Sequence, residues 1–70
     1  MADPTLNYGL ELAKLRAKAK VTQAELADRL GMSFQALSKI ERGGSISRKK
    51  FVSALKLLGF ELREKIVKIN

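Results

Sequence analysis

The chain has 70 residues, 46% of them apolar, which suffices for one small packed domain but not for a large catalytic cleft or a two-domain hinge. Its 14 Lys and Arg against 7 Asp and Glu give a net charge of +7, which indicates a polyanionic partner. Without Cys or His, disulfides, thiolate metal sites and His-based catalysis are excluded, and no metal or cofactor is expected.

A membrane or secreted location is not indicated. No apolar run approaches the ~18 residues that a membrane span requires. The first residues carry an acid, Asp3, and lack the basic region of a secretory signal. We therefore expect a cytoplasmic protein.

The chain begins with a predicted disordered lead at residues 1–5, because Pro4 is tolerated just before a helix but not inside it. A helix is predicted over residues 6–19, where apolar residues recur at helical spacing. The predicted core-facing stripe consists of Leu6, Leu10, Ala13 and Ala17, widened by Leu12, Leu15 and Ala19.

Two short helices joined by a tight glycine turn follow, at residues 23–30 and 34–42. Thr22 and Glu25 have the T-x-x-E spacing of a capping box at the start of the first helix, and Ser33 is a good N-cap for the second. This arrangement predicts a helix-turn-helix, with the outer face of its second helix free for the major groove. The residues predicted to face inward are Leu26, Ala27, Leu30, Leu37 and Ile40.

A fourth helix is predicted over residues 48–58, with Ser47 as N-cap and Gly59 as its stop. Its predicted buried stripe is Phe51, Val52, Leu55 and Leu58. The tail at residues 60–70 is either a strand or a further helix. A strand is favoured because residues 60–63 alternate apolar and polar, and because no N-cap residue follows Gly59.

Most of the positive charge lies in the middle of the chain, since residues 32–59 carry six bases and one acid. Arg48, Lys49 and Lys50 fall in the first turn of the fourth helix, where the helix dipole disfavours cations. Either a stable helix tolerates them for solubility, or a phosphate docks there and supplies the missing anion. We favour the phosphate, because violated local rules tend to mark functional sites.

Three stretches of the sequence carry a family resemblance: Thr22-Gln23-Ala24-Glu25-Leu26-Ala27, Leu30-Gly31-Met32-Ser33 and Leu37-Ser38-Lys39-Ile40-Glu41-Arg42-Gly43. Together they resemble the lambda repressor-like family, also called the XRE or phage repressor and Cro type. The resemblance implies an all-α, compact domain of four helices, or five, over residues 6–59, with residues 60–70 as a separate tail. Phe34 departs from the polar residue that the family often has at that position.

The resemblance also implies roles for individual residues. The expected base contacts are Phe34, Gln35, Ser38 and Lys39. The expected phosphate contacts are Gln23, Ser33, Arg42, Ser45, Arg48, Lys49 and Lys50. Gln23 is also expected to brace the recognition helix, and Arg16 and Glu41 to form a structural ion pair between the first and third helices.

The leading functional hypothesis is a sequence-specific regulator of transcription, a repressor, that binds a palindrome in double-stranded DNA as a homodimer. The predicted dimer contact is the apolar tail, consisting of Phe60, Leu62, Ile66, Val67 and Ile69. The alternative is an antitoxin that binds a toxin protein and represses its own operon. RNA or membrane-surface binding rests on charge alone, and an enzyme is improbable because the carboxylates are scattered.

Overall fold

The computed structural model describes residues 7–63 and 65–69 of the chain. In chain order it contains four helices and two strands: α1 (Tyr8–Lys18), α2 (Gln23–Leu30), α3 (Phe34–Glu41), α4 (Arg48–Leu57), β1 (Phe60–Leu62) and β2 (Ile66–Lys68). The predicted helical fold with a strand in its tail is confirmed, and within the described residues a hairpin stands where the alternative placed a fifth helix. The lead at 1–5 lies outside these residues.

Each helix begins at a polar side chain that caps its first turn. Asn7, Thr22, Ser33 and Ser47 each accept a hydrogen bond, at 3.0 or 3.1 Å, from the amide three residues along. The capping box is complete, because the Thr22 amide donates to Glu25 Oε1 at 3.2 Å. Hydrogen bonds from Thr22 hold the pKa of the Glu25 carboxyl below its usual value. The caps at Thr22, Ser33 and Ser47 were predicted, whereas Asn7 was not.

The predicted inward stripe of α1 is wrong in part. Leu12 and Leu15 are buried, but Leu10 is 48% exposed and Ala17 is also exposed. The observed inward stripe has the same helical spacing as the predicted one but more side-chain volume, and consists of Tyr8, Leu12, Leu15 and Ala19. Because the larger set buries more apolar surface, it decides which face of α1 meets the core.

The core lies where the four helices meet, and every helix contributes to it. Its fully buried large side chains are Phe51, Leu12, Leu26, Leu37 and Leu55. The rings of Tyr8 and Phe51 stack with centroids 4.4 Å apart and planes 9° from parallel, which joins the start of α1 to α4. On α4 the structure buries Ala54 and leaves Val52 only half-buried, although Val52 was predicted to belong to the buried stripe.

The tail forms an antiparallel hairpin in which Phe60 faces Lys68 and Leu62 faces Ile66. Phe60 is only 8% exposed and belongs to the core, with Leu62 and Ile66 packed against it. Phe60 therefore cannot serve as the dimer surface predicted for it, since strand alternation turns it towards the helices. Ile69 is 45% exposed and its amide donates to the Gly59 carbonyl at 2.8 Å, which fastens the end of the hairpin to its start.

Candidate nucleic-acid interface

The turn between α2 and α3 sets the angle at which the two helices cross. Gly31 adopts a left-handed conformation with φ of 69°, which costs a residue without a side chain little. The Met32 amide donates to the Ala27 carbonyl at 3.0 Å and closes the end of α2. Ala27 is 2% exposed, so its methyl group fills the crossing of the helices. These contacts produce the predicted helix-turn-helix.

The outer face of α3 is open to solvent. Phe34 is half exposed, Gln35 and Lys39 are exposed, and Ser38 is half-buried. Within the described residues, the Gln35 and Lys39 side chains form no hydrogen bond. Leu37 on the opposite face is fully buried. The four predicted base-contact residues thus share a helix whose inner side is fixed, and their polar atoms remain available to a ligand.

A buried charge network holds the end of α3. The Glu41 carboxylate is 3% exposed and accepts from Arg16 Nε at 2.8 Å and from Arg16 Nη2 at 3.0 Å. The remaining Arg16 nitrogen, Nη1, donates to the Val21 carbonyl at 2.8 Å. This forked pairing is the ion pair predicted between α1 and α3, and it satisfies both charged groups. Removing one partner of such a pair typically costs about 3–5 kcal/mol, because the other charge stays buried.

Gln23 joins the same network from the start of α2. Its Nε2 donates to Glu41 Oε1 at 2.9 Å, so its amide nitrogen is committed to bracing α3. The side chain had been assigned two roles, bracing and phosphate contact. The structure gives it the first, and only its carbonyl oxygen and backbone amide remain for other contacts. Glu41 consequently ties together three helices.

A close approach of backbones also holds the start of α1 against the end of α3. A Cβ at Gly9 would overlap the carbonyl oxygen of Ile40, so only glycine permits this distance. Asn7 Nδ2 also donates to the Gly43 carbonyl at 3.3 Å. Sequence reasoning missed Gly9 and Asn7, since neither residue carries a local signal of its distant partner. A glycine inside a helical pattern was the only hint available.

The loop after α3 and the first turn of α4 form a basic ridge of exposed residues: Arg42, Ser45, Arg48, Lys49 and Lys50. Arg48 is held in place because its Nη1 donates to the Tyr8 hydroxyl at 3.2 Å. Ser33, also predicted as a phosphate contact, already uses its hydroxyl oxygen to cap α3. Glu41 is the sole acid between residues 32 and 59 and is buried against Arg16, so every exposed charge in this segment is positive.

Residues 7–63 and 65–69 contain no group of three acidic side chains that could hold a metal ion. None of their helices combines the length and the apolar character needed to cross a membrane.

A model of the helix-turn-helix family HTH_3 matches residues 12–65, which include α2, the glycine turn, α3 and α4. No curated protein and no solved structure matches the chain.

Proposed function

The chain belongs to the HTH_3 family of XRE or lambda repressor-like helix-turn-helix proteins and is therefore a DNA-binding regulator; from this premise we propose that it is a repressor that binds a palindromic operator as a dimer. The observation that carries the proposal is the state of α3, whose inner side and end are fixed while its outer polar side chains have no partner within the described residues. We place its site of action on DNA in the cytoplasm of a bacterial cell.

In this proposal the first two turns of α3 read base edges in the major groove. Gln35 pairs with adenine through its amide, and Lys39 reaches the O6 and N7 acceptors of guanine. Phe34, half exposed at the start of α3, rests on a thymine methyl group. Ser38 adds a hydroxyl beside them. These contacts supply the sequence preference that net charge cannot supply.

Phosphate contacts fix the position of α3 in the groove. The basic ridge of Arg42, Ser45, Arg48, Lys49 and Lys50 flanks α3 and presents no acid to repel DNA. Ser33 and Gln23 contribute their backbone amides at the starts of α3 and α2, because their side chains already make internal hydrogen bonds. These contacts add affinity without sequence information.

The dimer contact is assigned to the outward face of the hairpin. Val67 is half-buried, Ile69 is 45% exposed, and strand alternation places both opposite the core-facing Ile66. Pairing of this face between two copies would bury apolar side chains that the single domain leaves in water. Phe60, Leu62 and Ile66 support the hairpin from within.

The test is selection of bound duplexes from a random pool at moderate salt. We expect a palindrome with half-sites about one helical turn, ~34 Å, apart. On the selected duplex, Gln35→Ala should weaken binding by roughly tenfold or more, as expected for one bidentate base contact, and leave the affinity for random DNA unchanged. Lys14→Ala, an exposed change on α1, is the control and should alter neither affinity. Failure to enrich any sequence would contradict a specific regulator.

The dimer is tested separately, by sedimentation of Val67→Glu and Ile69→Glu. Both should be monomeric, because each places a charge in the proposed interface. Leu10→Glu puts the same charge on an equally exposed leucine of α1 and should stay dimeric. Deleting residues 60–70 is unsuitable, since it also removes Phe60 from the core.

The antitoxin role remains the second candidate, and one surface favours it. A groove of about 320 Å³ between α1 and the hairpin has an apolar lining of Leu15, Ala19, Leu58, Phe60 and Ile66 with a charged rim of Glu11, Lys18 and Lys68. A side chain of a toxin protein would fit there. A toxin gene beside the chain's own gene, and a complex reconstituted from the two proteins, distinguish this role from that of a simple repressor.

A further inference from the structure

A second, larger groove lies between the end of α2 and the length of α4, away from the apolar groove described above. Its volume is about 690 Å³, and its lining consists of Arg29, Leu30, Ser47, Lys49, Lys50, Ser53, Lys56 and Leu57. We call it the α2–α4 groove. Half of these eight residues are cations and none is an acid, so the groove has strong, one-signed charge.

The groove follows a single face of α4. Lys49, Ser53 and Lys56 recur at spacings of four and three, which puts them in a row opposite the buried Phe51 and Leu55. At 1.5 Å rise per residue the row is about 10 Å long. It therefore begins at the basic ridge but ends far along α4, beyond any residue that the DNA-binding proposal uses.

Its far end combines charge with apolar surface. Leu57 is 41% exposed, and Leu30 is half-buried on the facing helix. Arg29 and Lys56 line the same end. A DNA backbone offers anionic oxygens and only the small C–H surfaces of its sugars, whereas a peptide can place a whole apolar side chain against a leucine beside its carboxylates.

We propose that the α2–α4 groove binds an acidic segment of another protein, one that places an apolar side chain against Leu30 and Leu57 among its carboxylates. Charge complementarity selects this occupant, because the four cations repel a second copy of a chain whose net charge is +7. The site goes beyond DNA binding, because Arg29, Lys56 and Leu57 at its far end are residues that the proposed function does not assign to DNA.

The test uses a short amidated peptide in which one Leu is flanked by Asp and Glu, titrated against the full chain by fluorescence anisotropy. Arg29→Glu combined with Lys56→Glu should weaken binding on the order of tenfold, because two attractions become repulsions. The matched control reverses two exposed cations of α1, Lys14→Glu with Lys18→Glu, and should change the affinity less than threefold. Thermal unfolding of both variants checks that they are folded.

A second pair of variants tests the apolar part of the groove without changing charge. Leu57→Ser should weaken peptide binding several-fold, whereas Leu10→Ser, at a leucine of similar exposure on α1, should not. Binding of random duplex DNA is measured on all four variants and should respond equally to the two charge-reversed pairs.

Three results would overturn the proposal. The first is that the α1 control weakens peptide binding as much as the groove variant, which would mean attraction by net charge alone. The second is that Leu57→Ser binds the peptide as the unaltered chain does. The third is that the groove variant loses DNA affinity and peptide affinity by the same factor, while the α1 control keeps its DNA affinity. The groove would then belong to the DNA-binding surface.

Discussion

Lys20 is held in a backbone conformation that its side chain disfavours. Its φ is 60°, and among residues 7–63 and 65–69 no other non-glycine residue has a positive φ. Two hydrogen bonds at the end of α1 require this conformation. The Lys20 amide donates to the Ala17 carbonyl at 3.1 Å, and the Val21 amide donates to the Arg16 carbonyl at 3.2 Å. This left-handed conformation is unfavourable by about 1–2 kcal/mol for an L-residue with a Cβ, whereas glycine adopts it without such strain.

Lys20→Gly should therefore raise the free energy of unfolding by up to about 1 kcal/mol. This gain is smaller than the strain at Lys20, because glycine loses more conformational freedom on folding than lysine does. Urea unfolding followed by circular dichroism measures the change. Lys14→Gly removes the same charge from the exposed middle of α1 and should lower the free energy of unfolding by about 1 kcal/mol. Equal effects of the two substitutions would show that the strain at Lys20 is absent.

Some features of single residues, such as helix caps, can be predicted from the sequence, whereas others, such as a positive φ at lysine, cannot. Thr22, Ser33 and Ser47 were identified as caps because a cap is defined by its own type and its neighbours three residues on. Lys20 was not identified, because lysine carries no signal for positive φ. The Arg48 bond to the Tyr8 hydroxyl was missed because its partners lie 40 residues apart.

At the scale of elements, the position of α3 depends on the contact of α1 with it as much as on the glycine turn. Gly9 lies against the Ile40 carbonyl with no room for a Cβ. About two turns further along α1, Arg16 pairs with Glu41 at the end of α3. Two contacts on one helix therefore set both the distance and the orientation of the other.

Gly9→Ala should force α1 and α3 apart and lower the free energy of unfolding by about 1–3 kcal/mol, a cost typical of overpacking. DNA affinity should fall as well, because the recognition helix moves relative to the basic ridge. Leu10→Ala, one residue on and exposed, should change stability by less than about 0.5 kcal/mol. A Gly9→Ala protein as stable as the unaltered chain would refute the close approach.

The four helices could be predicted from local sequence patterns, because the caps, the terminating glycines and the apolar spacing of each helix all lie within a few residues of it. The inward face of α1 did not follow, because two stripes of similar spacing competed and only the tertiary packing chose Leu12 and Leu15. The strand preference of the tail was correct, but its folding back as a hairpin rests on pairing that crosses a turn. The inward turn of Phe60 likewise needed the three-dimensional structure.

At the scale of the whole molecule, the positive charge is concentrated in two regions of the surface. The basic ridge flanks α3, while the α2–α4 groove continues along α4 with further cations. Residues 1–31 carry five bases against four acids, and one of these bases, Arg16, is paired internally with Glu41. Only the ridge is expected to release counterions from DNA in proportion to its charge.

Lys49→Gln combined with Lys50→Gln should therefore reduce the slope of log affinity against log salt by about two units, at roughly 0.9 per lost phosphate contact. Lys14→Gln with Lys18→Gln removes the same net charge from α1 and should leave the slope nearly unchanged. Titrations of duplex DNA over a range of salt concentrations measure both. Equal reductions would mean that the affinity responds to net charge and not to the ridge.

The open outer face of α3 has a consequence for how such a protein changes over generations. The side chains of Gln35 and Lys39 are exposed and form no hydrogen bond within the described residues, and Phe34 is half exposed, so exchanging these side chains costs the fold little. Stability is instead carried by Leu37, Glu41 and their partners on the other side of the same helix. In the proposed repressor, mutations would therefore change the preferred operator while the fold that presents α3 stays intact, and duplicated copies of the gene would diverge in target without first acquiring compensating changes.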